Sequence, residues 1–437
     1  TWDNVKHDLL RVYEDVMKSV DETQPRLLVY SSLFPSKATP AAGLFIRERM
    51  FRVARELPVT VVSPRPWFPG QELIRYFRPH VRKRTPNQEF QEGVTVYYPR
   101  FFSIPLIFKQ LDGVFMALGS YMLLRRLGKL KRHTLLDAHF AYPDGYAATL
   151  LGRWLKLPVT ITLRGTEVPH SRNRWLRPYL VRALRGANRI FSVSESLRQH
   201  AIRLGVESDK TRVVANGVDI AKFHPVDRQK ERERLEIPPD EQVLVSVGAL
   251  VERKGFHRVI YVLPALLESH PKMVYLIVGG ASAEGDMEAE LRQQVRKAGL
   301  ENHVHFLGMI PPSGLKWPLS AGDLFVLATG NEGWANVFLE AMACGLPVVA
   351  TDVGGNAEVV SGPQLGRIVP FGNPGALRDA LHDALSRNWN KELIRSYAED
   401  NAWDTRIAAL ADEFRALINS PESAAEPEKA DVETGLK

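Results

Sequence analysis

Two glutamates lie eight residues apart in the segment NEGWANVFLEAMACGLP, residues 331–347. Glu332 falls in a loop after a strand, where a carboxylate can accept sugar hydroxyls. Glu340 falls inside the helix expected from about Ala335 to Cys344, where a carboxylate can take a ribose diol bidentately, as acidic residues do in dinucleotide folds. Earlier, Gly248-Ala249-Leu250-Val251-Glu252-Arg253-Lys254-Gly255 follows another strand. Its Arg-Lys pair is suited to grip a diphosphate, although two adjacent basic residues taken by themselves are more often solvated surface charges. Gly279-Gly280 lets backbone approach a ligand or simply turns the chain. Asp352-Val353-Gly354-Gly355-Asn356 offers N–H groups to phosphate at a helix start.

The first half holds candidates of a different kind. His139, in DAHFAYPDG (137–145), stands at a strand end where an imidazole can move a proton; a structural histidine is the equal alternative. Arg164, in TLRGTE (162–167), cannot act as a base because it does not deprotonate, but it can hold a donor phosphate or an anionic acceptor group. Gly43 closes the loop FPSKATPAAG (34–43), which also reads as a plain strand-to-helix turn. Ser194-Glu195-Ser196 fits a helix N-cap at least as well as a ligand site.

These residues need elements to place them. Near-continuous apolar runs at Leu27–Ser31, Val59–Ser63, Thr134–Ala138, Val159–Leu163, Arg189–Ser194 and Thr211–Ala215 predict buried parallel strands. A second set starts afresh at Val243–Val247 and continues through Val274–Val278, Val304–Leu307, Leu324–Leu327 and Val348–Ala350. The charge run Asp227–Asp240, ending in Pro238-Pro239, separates them as a short helix or linker. The expected organisation is an amphipathic helix over 1–26, a first doubly wound domain over 27–225 and a linker over 226–240. A second doubly wound domain over 241–395, a C-terminal helix over 396–420 crossing back to the first domain and a disordered acidic tail over 421–437 complete it.

Together these segments resemble a family-four retaining glycosyltransferase (glycosyl transferases group 1). The resemblance rests on Glu332 and Glu340 within EGWANVFLEAMACGLPVVATDVGG, Asn216-Gly217-Val218-Asp219, the Gly248…Lys254-Gly255 loop, Leu307-Gly308 and Trp403-Asp404. It implies the α/β GT-B architecture, two Rossmann-like doubly wound domains facing across a cleft, the first (27–225) an acceptor domain and the second (241–395) a nucleotide-sugar domain. It also implies that Glu340 binds the donor's ribose, Glu332 a hydroxyl of the donor sugar, and Arg253 and Lys254 the diphosphate. Gly43, Arg164, Gly248, Gly279, Gly333, Asn336, Gly354 and Gly355 would line the donor, and His139 would join the catalytic set. The sequence departs from the family's common pattern at Ala249, where many relatives have arginine, and at Arg164, where they often have histidine. Gly43 stands alone where many have two glycines.

The resemblance further implies sugar transfer from a nucleotide-diphosphate donor, UDP- or GDP-linked, to a lipid-linked or polysaccharide hydroxyl, with no metal and no cofactor. A nucleotide-sugar epimerase of the same fold and a non-catalytic nucleotide-sugar-binding protein are the alternatives. A Rossmann dehydrogenase is disfavoured, since no Gly-x-Gly-x-x-Gly opens either half.

The overall charge of +7 conceals a regional imbalance. Residues 51–200 hold 25 Lys and Arg against 9 Asp and Glu, a net +16, so the remainder carries −9. Between residues 64 and 132 aromatic residues such as Trp67, Tyr76, Phe77, Phe102 and Phe108 mix with Arg75, Arg82, Lys83, Arg125, Arg126, Lys129, Lys131 and Arg132. That mixture suits an anionic membrane surface, or a core with a solvated charged face, and no nucleic-acid motif accompanies it. The twelve-residue apolar run from Gly113 to Leu124 is too short to span a bilayer, which takes about 20 residues. With a start that lacks secretory-signal features and a lone Cys344, the expected location is the cytoplasm, extending to the inner face of its membrane.

Overall fold

The computed structural model describes residues 26–40, 42–71, 85–104, 107–130, 133–282 and 284–419. The helix expected over 1–26 (apart from Arg26), the basic and aromatic residues 74–84, Lys131, Arg132 and the tail over 421–437 lie outside the described residues, as does the Lys129 side chain. Two compact units are present. Among the described residues, the first comprises those within 26–161, 174–189 and 409–419, the second those within 162–173 and 190–408.

In the first unit, strand β1 (Arg26–Tyr30) pairs in parallel with β2 (Val59–Val62) on one side and β7 (His133–His139) on the other. Leu27, Leu28, Val29 and Tyr30 are all buried, because both faces of β1 are covered, which is why the run is apolar throughout. Four short strands were not foreseen. β3 (Arg65–Trp67) pairs in parallel with β6 (Arg100–Phe102). β4 (Gln88–Gln91) and β5 (Val94–Tyr97) form an antiparallel hairpin, with β5 extending the main sheet beyond β2. The hairpin turns through Glu92 and Gly93, both at positive φ (47° and 86°), the geometry that matches strand twist. The aromatic–basic region therefore divides. Phe101 and Met116 are core, whereas Ile107, Phe108, Leu118 and Met122 are exposed.

The second unit is built on a six-stranded, wholly parallel sheet. Its strands are β11 (Gln242–Val247), β12 (Met273–Val278), β13 (Val304–Gly308), β14 (Leu324–Leu327), β15 (Val348–Thr351) and β16 (Gly366–Val369), in the order β13-β12-β11-β14-β15-β16. Alternate residues of each strand feed two cores. Val243, Val245, Phe325 and Leu276 pack with Phe338 and Met342 of helix Asn336–Ala343 on one face. Leu244, Tyr275 and Ile277 pack with Val259, Leu263 and Leu381 on the other. The charge run after Asp227 folds onto this unit. Asp227 caps helix Arg228–Arg234, and buried Arg232 pairs with Asp323 at 2.7 Å while donating to the carbonyls of Pro239, Glu241 and Ala321. Cys344, just past helix Asn336–Ala343, is buried, and burial pushes its thiol pKa up to about 12.

Candidate active site

The strand order of the second sheet reverses direction between β11 and β14, and ligands in such sheets bind beyond the carboxyl ends at that reversal. The loops that leave β11 and β14 carry Arg253, Lys254 and Glu332, and they meet there. Lys254 Nζ donates to Glu332 Oε1 at 2.5 Å, and Arg253 Nη1 reaches the same oxygen at 3.3 Å and Asn331 O at 3.1 Å. Thr329 Oγ1 also lies 3.3 Å from Glu332 Oε1 and 3.0 Å from Arg253 O, tying the two loops together. The Lys254 and Glu332 side chains are largely buried, so their pairing takes place away from bulk water. Arg253 is shared. Glu284 accepts from its Nε at 2.9 Å and from Nη2 at 2.8 Å, and that hydrogen bonding holds the guanidinium pKa above its ordinary value. Two cations around one carboxylate form a centre that can meet a dianionic group.

The rest of the second unit's candidate residues pack around this centre through backbone. Gly354 sits at φ +55°, and a Cβ there would lie 1.6 Å from Glu332 O. A Cβ on Gly333 would lie 2.2 Å from Arg164 O, so the Arg164-Gly165 backbone and the Glu332-Gly333 backbone are in direct contact. Gly355 lies against Gly333 O and Ser194, Gly279 against Gly248 O, and Gly248 against the Lys254 side chain. Glu167 holds the Arg164 segment by accepting from Gly165 N at 2.8 Å and Arg164 N at 3.2 Å. Arg164 Nη1 lies 3.4 Å from Asn216 Oδ1, and Asn216 Nδ2 donates to Asn336 Oδ1 at 3.0 Å. Asn336 opens the helix on which half-buried Glu340 lies. Ser194 caps helix Glu195–Arg203, while Glu358 accepts from Glu195 N at 2.6 Å and Ser196 N at 2.9 Å. The helix after Gly355 is a single turn, and Asn356 N is already bonded to Val353 O.

Gly43 and His139 belong to the first unit. Gly43 precedes helix Leu44–Val53 at φ +69°. His139 is fully buried at the end of β7, with Nε2 3.3 Å from Asp137 Oδ2. Thr329, Glu284 and Glu358 were missed by reading the sequence. Of these only Glu358, close behind Gly354-Gly355, carried a local signal.

Two family models match this chain in succession: Glycosyltransferase Family 4 over residues 53–222 and Glycosyl transferases group 1 over 227–402. The chain belongs to the group 1 glycosyltransferases. Among curated relatives, a Bacillus subtilis glycosyltransferase named for teichuronic acid biosynthesis is 28% identical over 389 residues, covering 87% of this chain and 93% of the relative. A D-inositol 3-phosphate glycosyltransferase of Corynebacterium urealyticum is 34% identical over 230 residues, 50% of this chain and 54% of that protein. Among solved structures, sucrose-phosphate synthase of Thermosynechococcus elongatus aligns with a TM-score of 0.70 at 20% identity, over 90% of this chain and 99% of that one. HepE of Anabaena, in complex with UDP-glucose, aligns with a TM-score of 0.66 at 21% identity, over 90% of this chain and all of that one. The fold of this glycosyltransferase is thus GT-B. Among its described residues no group of three or more His, Cys, Asp or Glu is arranged to hold a metal ion, and no helix is long and apolar enough to cross a membrane.

Proposed function

We propose that this glycosyltransferase takes its sugar from a nucleotide-diphosphate donor, UDP- or GDP-linked, and transfers it with retention to a hydroxyl of a lipid-linked or polysaccharide acceptor. The observation that carries the reading is the Lys254–Glu332–Arg253 cluster at the strand-order reversal. A departing nucleoside diphosphate gains negative charge, and preorganised cations in a partly dehydrated site stabilise that charge more than water does. Lys254 and Arg253 supply it here without a metal or other cofactor. Glu332 then faces a donor-sugar hydroxyl and Glu340 the ribose, while Gly248, Gly279, Gly333, Gly354 and Gly355 let backbone close on the donor. The first unit, which carries Gly43 and His139, takes the acceptor. The UDP and UDP-glucose bound in HepE support a uridine donor, and the teichuronic acid relative supports a polysaccharide acceptor. The basic and aromatic composition of residues 64–132 supports working at the inner face of the cytoplasmic membrane.

Incubation with a panel of nucleotide sugars tests this. The expected result is release of nucleoside diphosphate with one donor and an NMR-detected product of retained anomeric configuration. Glu340→Ala should raise the donor KM roughly 10- to 100-fold, the value of one charge-assisted hydrogen-bonding group. Absence of binding and turnover with every donor, together with an unaffected Glu340→Ala variant, would end the proposal. Recovery of an epimerised nucleotide sugar without transfer would replace it with the epimerase reading.

A further inference from the structure

The second unit contains a cavity of about 350 Å³ that none of the roles above uses. It opens among helix Phe256–Leu267, helix Pro374–Ser386 and the ends of β14 and β15, and its lining includes His257, Arg258, Tyr261, Gln294, Thr351 and Leu377. Its size falls in the range of small-ligand sites, which are mostly apolar with a few convergent polar groups. The polar groups here are unequal. Arg258 bonds through Nη1 to Ala328 O at 2.9 Å and to Glu252 O at 3.4 Å, and among the described residues its Nε and Nη2 have no hydrogen-bond partner. The Nδ1 of His257 is buried without one. The Phe371 ring lies 4.8 Å from the Arg258 guanidinium carbon, and Tyr261 is exposed at the rim, so aromatic surface borders the charge.

A site with apolar and aromatic walls and one available guanidinium selects a flat, mostly apolar molecule with a single negative charge. We infer that this cavity binds a small aromatic carboxylate and acts as an effector site for the transferase. The route to the active centre is short. Arg258 holds the carbonyl of Ala328, and Thr351 Oγ1 donates to Thr329 O at 2.5 Å. Thr329 in turn contacts Glu332. A carboxylate drawing Arg258 toward the cavity shifts the loop that presents Glu332. The effector clause rests on the transferase reading, but binding itself does not.

The test is calorimetric titration of the full chain with 1-naphthoate, with 1-naphthylmethanol as its neutral counterpart. Saturable one-to-one binding is expected with a Kd of roughly 1 mM or tighter for a ligand of this size. The alcohol should bind at least about 5-fold weaker, and Arg258→Met should weaken naphthoate by about 10-fold or more, the worth of a charge-assisted bond. Tyr261→Ala, at an exposed position that does not endanger folding, should also weaken it. Lack of saturable heat, equal binding of the alcohol, or unchanged isotherms in both variants would overturn the site. Saturating naphthoate should change the donor KM at least about twofold in the wild type and not in Arg258→Met; binding without that change overturns the effector clause and leaves the site standing.

Discussion

Lys254 and Arg253 reach the same carboxylate with unequal freedom. Lys254 is committed to Glu332, whereas Arg253 is also clamped by the two oxygens of Glu284, which is more than half exposed. A diphosphate must compete with Glu284 for that guanidinium. Glu284→Gln should therefore tighten the donor, by up to about 5-fold given the worth of exposed pairs, read as a lower KM with little change in kcat. Lys254→Met should instead lower kcat roughly 10²- to 10³-fold, since it removes charge stabilisation needed most at the transition state. A separate residue sets a pH dependence. Asp144 in the first unit is fully buried, and burial raises its pKa from 3.8 to about 7, against the opposing pull of the Ser32 N–H and hydroxyl. The folded state thus holds a proton the unfolded chain would release. The resulting stability is complete below the unfolded value near 3.8 and is lost as pH rises through about 7. Thermal melts should show Tm falling from pH 5 to pH 8, and Asp144→Asn, which carries no titrating proton, should flatten that slope.

At the scale of elements, the active centre depends on loops whose backbones touch. Gly354→Ala forces a Cβ into Glu332 O, so the Glu332 loop must retreat. The expected outcome is about 1–2 kcal/mol lost to the left-handed backbone alone and a fall of at least about 10-fold in kcat/KM from a misplaced carboxylate. Glu358→Ala leaves the N–H groups of Glu195 and Ser196 without their acceptor and should lower stability by about 1–3 kcal/mol in denaturant melts. Legibility in the sequence follows the same physics. Val159–Leu163 and Leu324–Leu327 were readable to the residue, because strands buried on both faces write an unbroken apolar run. The strands between Arg65 and Phe102, and β16, were not, since three or four residues at a sheet margin leave too little pattern to read. Glu332 and Lys254 were legible because glycine-flanked strand ends announce them. Glu284 and Glu358 were not, because their roles come from partners 31 and 163 positions away along the chain.

For the molecule as a whole, charge and exposed apolar surface coincide. Helix Asp112–Leu130 presents Leu118 and Met122 to solvent, followed by exposed Arg125 and Arg126, within the block of net +16. Sedimentation with anionic vesicles should retain the protein at low salt and release it as salt rises, whereas neutral vesicles should not retain it. The double change Arg125→Glu and Arg126→Glu should weaken retention at least about 10-fold, at about 1 kcal/mol per basic residue near the surface. Salt-insensitive retention, or none, would refute the membrane reading. The single thiol has a practical corollary for such work. Cys344 is the only cysteine in the chain, and it is closed off and held protonated by burial, so maleimides should leave the native protein almost unlabelled. The natural sequence is in effect a dark background for optical work. One cysteine introduced at exposed Arg153 of the first unit, or at exposed Glu301 of the second, would carry the only dye, and each unit could be watched separately while donor and acceptor are added.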